Sequence, residues 1–111
     1  MLSASYSKQN ERFFGRRYID SLEGKYFVNI SRGELVDEAY LVKKLEDNTI
    51  KGVALDVIED EQTGTNLSRL IALTKTRNLI LTPHIGGATY HSMQKTEEFI
   101  TSKLLDRIGI N

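Results

Sequence analysis

The chain has 111 residues, which suits one small domain. Fifteen basic residues balance fifteen acidic ones and cysteine is absent. That excludes disulfides and thiolate metal sites, and gives no charge bias toward nucleic acid or an anionic membrane. Residues 1–9 are small and polar, lack the apolar stretch of a secretion signal, and read as a loop. Asn10 is placed to cap a short helical turn through Phe14; Gly15 interrupts it. Tyr18, Ile19 and Leu22 then recur at helical spacing. Tyr26-Phe27-Val28-Asn29-Ile30 is short, aromatic and β-branched, and predicts a strand buried on both faces.

Ser31-Arg32-Gly33 is a turn. Asp37 is a good N-cap, Val36 can staple onto Leu41, and Leu41, Val42 and Leu45 give the next helix one apolar face. Asp47-Asn48 ends it. A second apolar run lies within 50–57, around Val53-Ala54-Leu55, and 58–66 is an acidic, polar loop. Leu67, Leu70, Ile71 and Leu73 predict a short helix, and Asn78-Leu79-Ile80-Leu81 a third strand stopped by Thr82-Pro83. Gly86-Gly87 is a flexible turn, and Thr89 caps the last helix. Met93, Ile100, Leu104 and Ile108, with Phe99 beside them, form that helix's expected buried stripe. No apolar run approaches the ~20 residues of a membrane span, and a cytoplasmic location is expected.

Alternation of strand and helix argues for an α/β fold with a parallel sheet and helical crossovers. In such sheets ligands sit beyond the carboxyl ends of the strands. The first strand leads there into Ser31-Arg32-Gly33, the second into Asp56, Glu59, Asp60 and Glu61, and the third into His84-Ile85-Gly86-Gly87. A guanidinium, a carboxylate cluster and an imidazole thus arrive at one edge. The carboxylate stabilises an imidazolium, and the guanidinium offers a planar fork to a substrate carboxylate. These parts suit proton transfer on a small anionic substrate. Read singly, Arg32 is equally a surface cation, Asp56 a turn cap, Glu59 and Asp60 members of a solvated loop, and His91 an exposed residue without a role.

Asn29-Ile30-Ser31-Arg32-Gly33-Glu34-Leu35-Val36-Asp37-Glu38 resembles the arginine signature of the D-2-hydroxyacid dehydrogenases. Gly52-Val53-Ala54-Leu55-Asp56-Val57-Ile58-Glu59-Asp60-Glu61 resembles their aspartate–glutamate segment, and Leu81-Thr82-Pro83-His84-Ile85-Gly86-Gly87-Ala88-Thr89 their histidine segment. All three stand in family order. The resemblance implies that Arg32 holds the carboxylate and 2-oxo group of a 2-hydroxy or 2-oxo acid. It implies that His84 exchanges the proton with the carbonyl oxygen and that Glu61 pairs with His84. It implies that Asp56 meets the nicotinamide carboxamide, that Ile30, Ser31 and Arg32 border the cofactor, and that Gly86 and Gly87 lie near the nicotinamide ring. The cofactor implied is NAD, with NADP also open, and no metal.

The sequence departs from the family pattern in two ways. It contains no Gly-x-Gly, so the loop that binds the pyrophosphate is absent. Gln62 stands where a proline usually follows the family's glutamate, which leaves Glu59 as a second candidate partner for His84. The five-residue distance from Asp56 to Glu61 fits the family, so the resemblance implies Glu61. The expected architecture is the C-terminal half of a Rossmann-like doubly wound sheet, three strands with crossover helices. Residues 1–111 form a partial NAD-binding domain, with about 90–111 the helix returning toward a substrate domain. Strand 26–30 is expected to be a raw sheet edge, hence homo-oligomerisation. Two other readings stand beside the dehydrogenase: an inactive fragment that associates through its open edge, and a dinucleotide-sensing partner-binding protein.

Overall fold

A computed structural model describes residues 1–87 and 90–110. Three parallel strands, β1 (Tyr26–Asn29), β2 (Gly52–Leu55) and β3 (Leu79–Leu81), form one sheet in the order β1-β2-β3. Helix α1 (Arg16–Asp20) precedes the sheet, α2 (Glu38–Glu46) connects β1 to β2, α3 (Leu67–Thr74) connects β2 to β3, and α4 (Tyr90–Ile108) follows. The strand–helix alternation, the α/β class and the crossovers are those read from the sequence.

Successive neighbouring parallel strands need right-handed crossovers, and these place their helices on one face. Phe27, Val53 and Leu79 stand in register across that face. They are buried in a core with Ile19 of α1, Leu41 and Leu45 of α2, and Leu70 and Leu73 of α3. The alternate row, Val28, Ala54 and Ile80, points the other way. Val28 and Ala54 are half-buried and Ile80 is 63% exposed. The strand expected to be buried on both faces is therefore covered on one.

Local chemistry accounts for the element ends. The Asp37 carboxylate accepts the Tyr40 N–H at 3.2 Å and caps α2 as expected. Lys43 and Lys44 occupy its last turn, where cations suit the helix dipole. Asn48 then turns the chain at φ 57, a conformation Asn tolerates. Upstream, the expected turn from Asn10 to Phe14 is instead a 3-10 turn at Lys8–Asn10, and Phe14 forms a parallel bridge with Val36. The Phe14 ring stacks on Phe27 at 5.1 Å and on Tyr18 at 5.4 Å.

Two further expectations are corrected. Leu2, placed in a loop by sequence, pairs in parallel with Asn29 and donates its N–H to Val28 O at 2.7 Å. The β1 edge is thus partly covered at its carboxyl end. The α4 stripe is not buried: Met93, Phe99, Ile100, Leu104 and Ile108 are all exposed. Periodicity marks a face as apolar but does not say what covers it. The predicted cap Thr89 lies outside the described residues.

Leu70 is fully buried between α3 and the sheet. Leu70→Ala should cost about 2–5 kcal/mol, the range for such truncations. Urea unfolding followed by circular dichroism checks this; a loss below about 1 kcal/mol contradicts the core described.

Candidate active site

The site forms at the carboxyl edge of the sheet, where three segments leave the strands. Asn29, the last residue of β1, is buried and builds the first of them. Its Oδ1 accepts the Ser31 N–H at 3.0 Å and the Ser31 hydroxyl at 2.9 Å, and its Nδ2 donates to Arg32 O at 3.1 Å. The short turn that delivers Arg32 is therefore tied to the strand end by one side chain. Arg32 Nη1 donates to Ser31 O at 2.8 Å and lies 3.4 Å from His84 Nε2.

Asp56 builds the third segment. It follows β2 and is 8% exposed. Its Oδ1 accepts the Thr82 hydroxyl at 2.5 Å and the Ile85 N–H at 3.0 Å, and its Oδ2 accepts the Gly86 N–H at 2.9 Å. Burial opposes ionisation here. The hydrogen bonds from Thr82, Ile85 and Gly86, with the nearby His84, outweigh it and hold the carboxyl below its ordinary value. The bonds bracket His84, whose backbone sits at φ 54, a left-handed conformation uncommon outside glycine. Of the two readings of Asp56, the turn cap is the one made by its visible contacts. Gly86 is glycine for the same reason: a Cβ there would lie 2.9 Å from Asp56 Oδ2. A Cβ on Gly87 would meet nothing within 4 Å, so that side of the turn is open.

The middle segment carries Glu61. Its Oε2 lies 2.8 Å from His84 Nδ1 and its Oε1 accepts the Ile58 N–H at 3.4 Å. Glu59 is turned away and pairs with Arg12 at 2.5 Å. The geometry thus chooses Glu61 over Glu59 as the imidazole's partner, and Glu59 is not a free member of a solvated loop. Asp60, exposed and at φ 56, accepts the hydroxyls of Thr63 and Thr65.

Arg32, Glu61 and His84 therefore meet in one place. With Tyr6 they line a cleft of about 420 Å³. Tyr6 and Arg32 also border an open basin of about 800 Å³ along Ser3, Ile30 and Ser31. Tyr6 lies in the segment read as a plain loop and carried no sequence signal for this place. Among the described residues no cluster of His, Asp and Glu could hold a metal ion, and no helix is long and apolar enough to cross a membrane.

The sequence profile of the D-isomer specific 2-hydroxyacid dehydrogenase NAD binding domain matches residues 1–86. The chain belongs to this family. Among its relatives is a Staphylococcus haemolyticus protein named as a 2-hydroxyacid dehydrogenase. It is 37% identical over 84 residues, which are 76% of this chain and 25% of that protein. The fold is similar to that of a Lactobacillus jensenii D-lactate dehydrogenase solved with NAD+, with TM-score 0.73 and 27% identity over 84% of this chain and 31% of the other. It is also similar to an NADPH-dependent glyoxylate/hydroxypyruvate reductase from Sinorhizobium meliloti, solved with NADP and malonate. There the TM-score is 0.64 and the identity 30%, over 78% of this chain and 26% of the other. The chain spans about a quarter of the length of the curated relatives it matches.

Two residues of this family member were missed as contributors by sequence reasoning. Asn29 was read as part of a strand and as the first residue of the arginine signature, and Glu38 only as that signature's last residue. The available signal was a polar residue on an inward position: Asn29 shares its face with Phe27, and Glu38 opens the helix that carries the buried Leu41 and Leu45.

Asp56 and Glu38 give opposite pH dependences. Asp56 has a depressed folded value, so its stabilisation is present above its ordinary carboxyl value and is lost as pH falls through the lower one. Glu38 is raised by burial, reinforced by the charges of Glu59 and Glu34 and only partly offset by its hydrogen bonds from Glu59 N–H and Asn66. Its contribution is full at low pH and is lost as pH rises through the raised value. Asp56→Asn should cost about 1–3 kcal/mol at neutral pH, because an amide cannot accept all three donors. That cost should shrink in acid, as urea unfolding between about pH 7 and pH 3 measures; an unchanged cost across the range contradicts the assignment.

Proposed function

We propose that this chain supplies the acid–base pair and the substrate-carboxylate anchor of a D-2-hydroxyacid dehydrogenase site. The observation that carries the reading is the single imidazole, His84, held at Nδ1 by Glu61 at 2.8 Å while Nε2 faces Arg32 at 3.4 Å. With Glu61 ionised, Nδ1 is the donor toward it, which leaves Nε2 as the nitrogen whose protonation changes. In reduction Nε2 gives its proton to the carbonyl oxygen of a 2-oxo acid; in oxidation it removes the hydroxyl proton of the 2-hydroxy acid. Arg32 binds the substrate carboxylate through its planar fork and steadies the oxygen that gains charge. Glu61 stabilises the imidazolium while Nε2 holds the proton.

A nicotinamide cofactor supplies the hydride that no side chain can carry. Its reactive end fits the residues present. Asp56 Oδ2 has one donor and a second lone pair for a carboxamide, Gly87 leaves its side of the turn open, and Ile30, Ser31 and Arg32 border the adjoining basin. Gly86 belongs here through its bond to Asp56. The cofactor taken is NAD, with NADP the other outcome of a titration. The sequence has no Gly-x-Gly to cradle the pyrophosphate, so NADH affinity of the 111-residue chain by itself is expected to be far weaker than micromolar. In this reading residues 1–111 are part of an NAD-binding domain, with about 90–111 the helix leading to a substrate domain. A cytoplasmic setting goes with the reading.

A second reading, association, is favoured by the bare sheet face at Ile80 and the exposed apolar residues of α4. Homo-oligomerisation should appear as a concentration-dependent mass in sedimentation experiments.

The first test grafts residues 1–86 into a full-length relative in place of the matched quarter. NADH oxidation with 2-oxo acids should then depend on His84. His84→Gln should lower kcat by about 10²–10⁴-fold, while Arg32→Ala raises KM for the acid. A folded graft whose turnover ignores both substitutions rejects the proposal. On the 111-residue chain, millimolar NADH should shift the amide signals of Ser31, Arg32, Asp56, Ile85 and Gly86 and leave α4 unmoved; shifts confined elsewhere would reject the cofactor end of the site.

A further inference from the structure

Glu38 opens α2 on the side of the core and is only 2% exposed, yet it touches neither Arg32 nor His84. Its Oε2 accepts the Glu59 N–H at 2.6 Å, and its Oε1 accepts Asn66 Nδ2 at 3.3 Å. One carboxylate thus holds the 58–66 loop near its beginning and at its end. A second, independent contact fixes the same stretch. Gly33, next to Arg32, packs so closely that a Cβ there would lie 1.9 Å from the Ile58 carbonyl carbon and 2.2 Å from Glu59 N. The 58–59 peptide therefore passes through the space a side chain at 33 would fill, and Glu38 takes its N–H. Glu34, in the 3-10 turn at 33–35 that precedes α2, faces the Asp60 N–H at 3.4 Å, and Arg12 grips the Glu59 side chain. The next residue along the loop, Glu61, is the one that holds His84.

We propose that Glu38 is a positioning residue. Together with the gap at Gly33 it forms a socket for the 58–59 peptide, and so sets the place from which Glu61 reaches the imidazole. This rests on the reading of His84 and Glu61 as the acid–base pair, and it makes the Arg32 segment and the Glu61 segment one rigid unit. A carboxylate suits the task because one group accepts from two donors about one loop-width apart. Its burial excludes the water that would otherwise compete for the Glu59 N–H. Glutamine keeps an oxygen for the Glu59 N–H and can present its amide to a flipped Asn66 side chain. Alanine offers nothing, and aspartate withdraws the oxygens by one methylene.

The test reads the imidazole directly. Nitrogen-15 ring shifts of the 111-residue chain, recorded above neutral pH, distinguish the two neutral tautomers of His84, with exposed His91 as the internal comparison. The parent should hold His84 in the Nδ1–H form facing Glu61, and His91 should not share that bias. Glu38→Gln should keep the bias; Glu38→Ala should lose it, leaving His84 with the His91 pattern, as should the control Glu61→Ala. Should Glu38→Ala fail to fold, Glu38→Asp carries the same expectation of loss with the charge retained. A folded Glu38→Ala or Glu38→Asp with the His84 bias intact overturns the proposal. So does a folded Glu38→Gln that loses it. A parent without the bias would strike the acid–base pair itself; loss of NADH response with the bias intact would strike the cofactor reading and leave Glu38 standing.

Discussion

The constraint on which the rest depends is the parallel direction of the three strands. A parallel neighbour can be reached only by carrying the chain back across the sheet, so every strand ends at the same edge. Residues far apart in sequence, such as Arg32 and His84, are thereby forced to one place before any side-chain interaction is considered. The register of β1 on β2 and of β2 on β3 then sets their spacing: Asn29 lies opposite Leu55, and Leu55 opposite Leu81. Each functional segment starts immediately beyond this row. A strand slip of one residue would turn Asn29 out of the core and Asp56 away from the His84 turn.

Beyond that edge, order is imposed from behind by buried polar groups. Asn29 shapes the arginine turn, Asp56 the histidine turn, and Glu38 the glutamate loop. No buried side-chain polar atom among the described residues lacks a hydrogen-bond partner. The two carboxylates differ in electrostatic character. Asp56 meets three donors and lies within the field of nearby His84, and its charge is favoured despite burial. Glu38 meets two donors but also the fields of Glu34 and Glu59, and its charge is disfavoured. The first behaves as a fixed anion; the second sits where neutralisation is cheaper, and its hydrogen bonds survive in part when it is protonated.

Much of this was legible in the sequence because the relevant signals are local. The α2 cap at Asp37, the apolar face Leu41, Val42 and Leu45, and the stop at Asn48 each follow from neighbours within a few residues. The convergence of Arg32, a carboxylate cluster and His84 followed from strand–helix alternation, since topology supplies the long-range part; the choice of Glu61 within the cluster came from the family resemblance. What stayed hidden depended on contacts across the chain. Nothing near Leu2 announces that it pairs with Asn29, nothing near Glu38 names the 58–59 peptide, and Tyr6 reaches the cleft only because its segment lies along β1. The α4 stripe shows the same limit in reverse: the periodicity of Met93, Ile100, Leu104 and Ile108 was read correctly, but burial requires a partner surface, and periodicity does not carry one.

The arrangement sets exposed side chains on a buried, hydrogen-bonded support. Arg32 and His84 are exposed at the edge, and the backbone of His84 sits in an unfavoured left-handed conformation. Such a conformation persists only where the surroundings over-determine it, and here the three bonds to Asp56 do so within this chain. The hydrogen bonds that place Arg32, Glu61 and His84 therefore lie within residues 29–86. The hydrogen bonds that build this edge run among the chain's own strand ends.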